Sequence, residues 1–307
     1  MEDFSIYSYM KPGIVHFKAF PEVARGEGPY VETLKKIAED DFFTAVEVGM
    51  VKDVKVRNEA RKLLEVSHLE VCYATQPKVL TNKLNINSLD KKEREKAVDA
   101  IKSCIDEAMD LGASWVRLIS GKDPGDDKRD EAKKVIIDSI KELCEYAAEQ
   151  GDLKLTLKIF DRDIDKCALI GHFKDARDVA VEVYKERKNF GLLADLSHFP
   201  LLDEKPEDAI PIIKDFPLLH FHIGNCLFRD RRHPAYGDLQ PRFGIPGGEI
   251  DTPQVRDYFR LLKNLGLIGQ EKKPVVSAEV RPLLAEEYSE IIIANAKRVI
   301  KEAWAEV

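Results

Sequence analysis

The chain has 307 residues, and its 48 Lys and Arg against 55 Asp and Glu leave a formal net charge of −7. This acidity argues against a nucleic-acid-binding protein, whose surface is normally basic. A hydrophobic content of 44% and a charged content of 34% are typical of a soluble globular protein. No apolar run approaches the roughly 18–20 residues of a membrane span, and the acidic start Met1-Glu2-Asp3-Phe4 lacks the layout of a signal peptide. We therefore expect neither a membrane nor a nucleic acid as partner.

The cysteines indicate a reducing compartment. The sequence has five of them, an odd number, and no two form a CxxC pair. Cys104 and Cys144 lie on the apolar faces of predicted helices, so we expect them to be buried thiols. This usage predicts a cytoplasmic location.

Short apolar strands alternate with amphipathic helices along the whole chain. The helix predicted over 92–111 illustrates the periodicity, because its apolar residues recur at the three- and four-residue spacing of one buried face. The predicted strands cover 13–18, 44–48, 69–73, 115–119, 153–160, 191–195, 218–223 and 274–280. The predicted helices cover 30–37, 54–64, 92–111, 128–148, 174–187, 206–214, 252–265 and 285–304.

Eight strand–helix units predict an α/β protein built as a single (β/α)8 TIM barrel. An open doubly wound sheet is the rival, but it would favour a Gly-rich phosphate turn, and neither a GxGxxG nor a Walker sequence occurs. Because no linker rich in Pro, Gly or Ser divides the chain, we assign residues 1–307 to one domain. The segment 225–248, rich in Arg, His, Pro and Gly, is too long for a simple turn and is expected to carry function.

Residues at the carboxyl ends of barrel strands are the catalytic candidates. In the fifth strand the leucines share one parity and should face the helices, so Lys158 should point into the barrel mouth. The sixth strand closes on Asp195, with His198 three residues further on. A charged residue at the end of a packed strand is unusual. As alternatives without a functional role, Asp195 could cap the next helix turn and His198 could be a hydrogen-bonded histidine of the core.

The last two strands supply more polar groups of the same kind. His220 and His222 share one face of the seventh strand, and Glu279 closes the eighth, where a buried carboxylate needs a cation or donors to offset its desolvation. Asp195, His222 and Glu279 come from consecutive strands, and their oxygen and nitrogen atoms suit a divalent ion such as Mn, Mg, Co or Zn. The sequence therefore predicts a metal site at the barrel mouth.

With these residues in view, the sequence resembles the xylose isomerase-like TIM barrel superfamily of sugar-phosphate isomerases and epimerases. The resemblance extends over nearly the whole chain, and the motifs that carry it are Ala45-Val46-Glu47-Val48, Asp195-Leu196-Ser197-His198, His220-Phe221-His222-Ile223-Gly224-Asn225, Gly237-Asp238 with Gly244, and Ser277-Ala278-Glu279-Val280. It implies that Asp195, His222 and Glu279 are metal ligands and that His198 helps to hold substrate.

Two positions depart from the pattern of that superfamily. Lys158 stands where the fifth strand usually carries a metal-binding, proton-transferring Glu, and Gln240 replaces the His of a Gly-Asp-x-His loop motif. A protonated ammonium cannot bind a metal and would repel one. Three interpretations stay open: an ion held by the other three ligands and water, with Asp161 or Asp163 lending charge; Lys158 replacing the charge of the ion; and Lys158 as a neutral base or Schiff-base nucleophile.

The resemblance implies an isomerase or epimerase that transfers a proton next to a carbonyl of a sugar, sugar acid or sugar phosphate. Catalytic candidates are Glu279, Lys158 and His198. The candidate substrate contacts are His16, His220, Asn225 and Arg281, and we expect the mouth to be lined by cations that include Lys158, Arg229, Arg242 and Arg281.

Several alternatives accompany this hypothesis. One alternative is a lyase, dehydratase or decarboxylase that uses Lys158. Another is a non-catalytic barrel that has lost its metal through the replacement by Lys158. An abasic-site endonuclease on the same scaffold is disfavoured by seven histidines and the negative net charge. Association into a homo-oligomer through surface helices is compatible with such barrels.

Overall fold

In a computed structural model of the protein, which describes residues 5–217 and 219–307, eight parallel strands close into a barrel in chain order from β1 to β8. The strands are β1 (Lys11–Val15), β2 (Ala45–Val48), β3 (Glu70–Ala74), β4 (Trp115–Ile119), β5 (Lys154–Lys158), β6 (Phe190–Asp195), β7 (Leu219–Gly224) and β8 (Val275–Glu279). β8 pairs with β1, which closes the barrel. The predicted α/β class and the (β/α)8 TIM barrel are confirmed.

Helices separate the strands and cover the outside of the barrel. They are α1 (His16–Ala19), α2 (Tyr30–Ala38), α3 (Val54–Ser67), α4 (Gln76–Thr81), α5 (Lys91–Asp110), α6 (Arg129–Gln150), α7 (Phe173–Tyr184), α8 (His198–Leu202), α9 (Pro206–Ile213), α10 (Thr252–Asn264) and α11 (Ser289–Ala305). None of the helices within the described residues has the length and apolarity needed to cross a membrane.

Local signals explain where the long helices begin. Asp53 and Asp90 precede α3 and α5, and each accepts backbone N–H bonds from the first turn that follows. Asp251 precedes α10 in a reciprocal capping box with Gln254. Such caps satisfy backbone donors that have no partner inside the helix.

The predicted end of the first strand, near the barrel mouth, is wrong. The first strand ends at Val15, and α1 begins at His16, so residues 16–18 turn out of the barrel wall. The sixth strand ends at Asp195 as predicted, and His198 begins the short helix α8. The predicted start of the seventh strand at Leu218 and the assessment of the acidic start Met1-Glu2-Asp3-Phe4 lie outside the described residues.

The apolar core lies mainly between the strands and the helices. The strand side chains that alternate outward, such as Leu155, Leu157, Val116 and Leu118, are fully buried there. A second, smaller cluster fills the amino-terminal part of the barrel with Ala45, Cys72 and Val275, packed against Trp115. Above this floor the inward-pointing positions become charged and polar, which places the candidate site toward the carboxyl ends of the strands.

Candidate active site

Lys158 lies at the centre of a buried charged cluster. It is the last residue of β5, and only 2% of the residue is exposed. Its Nζ lies 2.8 Å from Asp195 Oδ2 and 2.7 Å from Glu279 Oε2. The centroid of the Phe160 ring lies 5.0 Å from the ammonium, which is a favourable cation–π distance. The ammonium therefore bridges the carboxylates that end β6 and β8.

His222 joins this cluster to a deeper layer of charges. Its Nδ1 lies 2.7 Å from Glu279 Oε2 and 3.5 Å from Lys158 Nζ. On the other side of the ring, Nε2 lies 2.9 Å from Glu47 Oε1 and contacts Arg117. The pKa of His222 is lowered, first by burial and then by the charges of Arg117 and Lys158, so the ring favours its neutral form.

Glu47 and Arg117 form an ion pair inside the barrel, one layer below Lys158. Glu47 Oε1 also lies 2.8 Å from His220 Nε2. Burial lowers the pKa of Arg117 to about 10 and lowers the pKa of His220 well below its ordinary value. His220 is therefore a neutral partner of Glu47 in this deeper layer.

The three candidate metal ligands do converge. Asp195, His222 and Glu279 each offer a ligand atom within 4.8 Å of the others, and Glu47, His220 and His222 form a second group of this kind. By atom type and spacing the first group suits a divalent ion. The same Asp195 Oδ2 and Glu279 Oε2, however, already hold the ammonium of Lys158.

A divalent ion and a charged Lys158 do not fit this place together. At about 4 Å and an effective dielectric constant of about 20, the repulsion between them would be roughly 8 kcal/mol. Burial by itself would lower the pKa of Lys158, but the charges of Asp195 and Glu279 outweigh it and raise that pKa. An ion can use these ligands only if Lys158 leaves its position or loses its proton.

The carboxylates of the cluster are held in their charged form. Burial by itself would raise the pKa of Glu279, yet Lys158 and Lys18 lower it well below its ordinary value. Burial likewise acts to raise the pKa of Asp195, and Lys158 and a hydrogen bond with His222 lower it. Lys18 Nζ lies 3.0 Å from Glu279 Oε1, the oxygen that faces away from Lys158. Glu279 is therefore held between two ammonium groups.

His198 lies beside the cluster on the mouth side. Its Nε2 lies 3.7 Å from Asp195 Oδ2 and 3.5 Å from Asp238 Oδ1, and its ring packs edge-on against Phe160. Neither ring nitrogen has a hydrogen-bond partner among the described residues. A buried imidazole with both nitrogens unsatisfied is the kind of group that binds the hydroxyls of a ligand.

Gln240 and Asp238 come from the long segment and cover the cluster. Gln240 Nε2 donates to Ser197 Oγ at 2.9 Å and to Asp238 Oδ1 at 2.6 Å, and Ser197 Oγ donates to Asp195 Oδ1 at 2.7 Å. The backbone of Gln240 has a φ of 60°, the left-handed region. Gln240 thus takes part in the site as a link between the loop and β6.

A cavity of about 250 Å³ lies at the barrel mouth next to this cluster. Lys18, Asp238 and Arg281 are among its lining residues, and Lys18 separates the cavity from Glu279, with which it pairs. Arg281 is held in place by its backbone N–H, which donates to the carbonyl of Gln240 at 2.7 Å.

Besides His220, two more of the four predicted substrate contacts are already engaged in structural hydrogen bonds. His16 Nε2 lies 2.9 Å from Thr33 Oγ1, the ring packs against Tyr30, and burial lowers its pKa to about 3. The amide of Asn225 donates to the carbonyl of Arg242 and accepts from the backbone of Ile250.

Two of the arginines expected at the mouth have carboxylate partners. Arg229 pairs with Glu249, and its side chain is largely exposed. Arg242 pairs with Glu287. Both charges are therefore compensated by neighbours in the chain.

Sequence reasoning assigned no role to Glu47, Lys18 and Lys166. Strand parity could have found Glu47, because it is two residues beyond the inward-facing Ala45 of β2. Lys18 lies in α1, where an extended strand was predicted, so no parity argument could apply. Lys166 lies in the loop after β5, and its Nζ lies 3.3 Å from Asp238 Oδ2.

Residues 34–272 match the family model of the xylose isomerase-like TIM barrel. The chain belongs to this family. No curated sequence matches the chain closely enough to narrow the assignment further.

Solved structures share the fold at low sequence identity. The IolI protein, described with a bound zinc atom, is 18% identical with a TM-score of 0.70, covering 97% of this chain and 99% of its own. The 3-keto-D-glucoside 4-epimerase YcjR from E. coli is 17% identical, with a TM-score of 0.65; the match covers 95% of this chain and 99% of YcjR. A family 2 AP endonuclease from Brucella melitensis is 18% identical, with a TM-score of 0.67; the match covers 93% of this chain and 97% of the endonuclease.

Proposed function

We propose that the protein is an isomerase or epimerase that moves a proton at the carbon next to a carbonyl of a sugar or sugar acid. The observation that carries this proposal is the position of Glu279, a buried carboxylate at the end of β8 flanked by two ammonium groups beside a cavity. Proteins of the same fold described as a D-tagatose 3-epimerase-like protein, a D-psicose 3-epimerase and a 3-keto-D-glucoside 4-epimerase support the substrate class.

Glu279 is the proposed acid–base group. Removing a proton next to a carbonyl creates negative charge on the carbonyl oxygen, and Lys18 and Lys158 are the cations that could stabilise it. A substrate oxygen that draws Lys18 away from Glu279 Oε1 would remove one of the charges that lower the pKa of Glu279. The carboxylate would then become more basic when the substrate arrives.

The other residues of the cluster hold these groups in place. Asp195 fixes Lys158, and His222 fixes Glu279 through its Nδ1. Asp238 lines the cavity, and His198 lies next to Asp238; both are proposed to bind substrate hydroxyls.

In this proposal Lys158 supplies the positive charge that a divalent ion supplies in related sites. Its ammonium touches the two carboxylates that such an ion would need, and its raised pKa keeps it charged at neutral pH. The same charge weighs against a Schiff-base mechanism, which needs a neutral amine.

Solvent exchange tests the reaction without knowledge of the product. The protein, treated with chelator, is incubated in D₂O with a panel of ketoses, aldoses and sugar acids, and NMR follows deuterium at the carbon next to the carbonyl. We expect exchange for at least one member and its loss in Glu279→Gln. The matched control is Glu70→Gln, because Glu70 is also a strand carboxylate paired with a lysine but lies at the amino-terminal end of β3.

Two results would contradict the proposal. Exchange that survives in Glu279→Gln would remove Glu279 from the chemistry. An absence of exchange across the panel with the folded wild-type protein would favour a barrel without this reaction.

A further inference from the structure

The cavity at the barrel mouth has an excess of positive charge. Its ionisable lining residues are four cations and one carboxylate, namely Lys18, Arg25, Lys166, Arg281 and Asp238. The chain as a whole is acidic, with a net charge of −7, so this excess is local. A concave site lined by one sign of charge concentrates ligands of the opposite sign.

The two lysines of this cavity already have partners. Lys18 pairs with Glu279, and Lys166 pairs with Asp165 and Asp238 at 2.7 Å and 3.3 Å. Lys18 contacts the catalytic cluster through Glu279, so it marks the side of the cavity where the reaction would occur.

The two arginines of the cavity differ from Arg229 and Arg242, which are paired. Among the described residues, neither Arg25 nor Arg281 has a carboxylate within ion-pair distance, and Arg281 Nε is buried without a hydrogen-bond partner. A buried guanidinium nitrogen that has lost its water and gained no partner is costly, and a ligand oxygen would relieve that cost. Arginine forks match the geometry of phosphate oxygens.

We propose that this cavity binds the phosphate group of a phosphorylated sugar, held by Arg281 and Arg25, with its carbonyl end directed toward Lys18 and Glu279. A phosphate monoester carries a charge of about −1.5 to −2 and three acceptor oxygens, which is enough for two arginines. A carboxylate offers two oxygens and one charge, and a neutral sugar offers no charge. The inference rests on the proposed function for the identity of the reacting end, but the phosphate site itself does not.

Binding of inorganic phosphate tests the site directly. Isothermal titration at constant ionic strength compares inorganic phosphate with acetate, using chloride as the background salt. We expect phosphate to bind and acetate to bind at least tenfold more weakly. In Arg281→Gln the dissociation constant for phosphate should rise about 10- to 100-fold, as expected for the loss of a charge-assisted bond. Arg25→Gln, a change at an exposed residue, should also raise the dissociation constant for phosphate.

Arg231→Gln is the matched control, because it removes the same charge from an exposed loop position outside the cavity. It should leave the dissociation constant unchanged within twofold. Melting temperatures of all three variants verify that they fold. Equal binding of phosphate by the wild type and Arg281→Gln, or an effect of Arg231→Gln as large as that of Arg281→Gln, would overturn the proposed site.

Sugar phosphates then separate this inference from the proposed reaction. We expect a ketose phosphate to exchange deuterium faster than the same unphosphorylated ketose, with a higher KM in Arg281→Gln. Phosphate binding without any exchange would support the site and refute the reaction. Exchange on a neutral sugar without phosphate binding would support the reaction and refute the site.

Discussion

Replacing Lys158 by methionine tests whether its ammonium stands in the place of a metal ion. Methionine keeps most of the volume and removes the charge, so Asp195 and Glu279 lose the cation at 2.8 and 2.7 Å. Removing one partner of a buried ion pair costs about 3–5 kcal/mol, because the remaining charge stays buried without compensation. At about 2–4 °C per kcal/mol for a large domain, the melting temperature should fall by roughly 6–20 °C.

The same substitution should create a metal site. Without the ammonium, Asp195, His222 and Glu279 form a free set of ligands within 4.8 Å. A metal that binds only the folded protein stabilises it by about 2.7 kcal/mol at 100 times its dissociation constant. We expect Mn or Zn to restore much of the melting temperature of Lys158→Met, and Lys158→Glu to bind the ion more tightly because it adds a fourth ligand.

The assay is a thermal melt of chelator-treated protein with and without metal, together with elemental analysis after gel filtration. Lys154→Met is the control, since Lys154 begins the same strand but lies at the amino-terminal end over Trp115. The wild type and the control should retain no ion and show no metal-dependent shift. A wild-type protein that retains one ion per chain, or a Lys158→Met variant as stable as the wild type, would show that the ammonium does not stand in the place of a metal ion.

Three further predictions concern the stability of the barrel. Burial lowers the pKa of His16 to about 3, so the neutral ring contributes stability that is fully present above its unfolded pKa near 6.5 and is lost as the pH falls. The free energy of unfolding should therefore decrease by about 2 kcal/mol at pH 5. A pH series of urea melts should show a weaker acid dependence in His16→Gln. Gly13→Ala would place a methyl group 2.5 Å from Ser277 Oγ, and we expect a loss of about 1–3 kcal/mol in urea unfolding that Ser277→Ala partly reverses; additive losses would contradict this contact. Glu47→Gln leaves Arg117 buried without its carboxylate and should cost about 3–5 kcal/mol by the same assay, whereas a loss below about 1 kcal/mol would show that the pair is not the main support of that layer.

The catalytic proposals depend on contacts that cross the barrel, and these contacts were only partly visible in the sequence. Lys158, Asp195, His222 and Glu279 could be placed at strand ends because parallel strands show a regular alternation of side chains. Their convergence follows from barrel closure, which brings the carboxyl ends of all eight strands to one mouth. The sequence could not show that Lys158 points at the same two oxygens a metal would use, since that depends on the side-chain conformation.

Residues outside the strands were less predictable. Lys18 reaches Glu279 because the chain turns into α1 at His16, a boundary that the apolar pattern did not reveal. Arg25 and Arg281 are more than 250 positions apart in sequence, and they share a cavity only because β1 and β8 are neighbours in the closed barrel. His16 was equally compatible with substrate binding and with packing, and its bond to Thr33 was visible only in the fold.

Local periodicity and short motifs were enough to predict the alternation of eight strands and helices, the family, and the polar residues at the strand ends. Tertiary structure decided which charges meet. It joined Lys158 to Asp195 and Glu279, paired Glu47 with Arg117, and left Arg281 without a carboxylate within ion-pair distance in the part of the chain that the structure describes. Electrostatic energy depends on distances of a few ångströms between residues far apart in the chain, and only the closed barrel sets those distances.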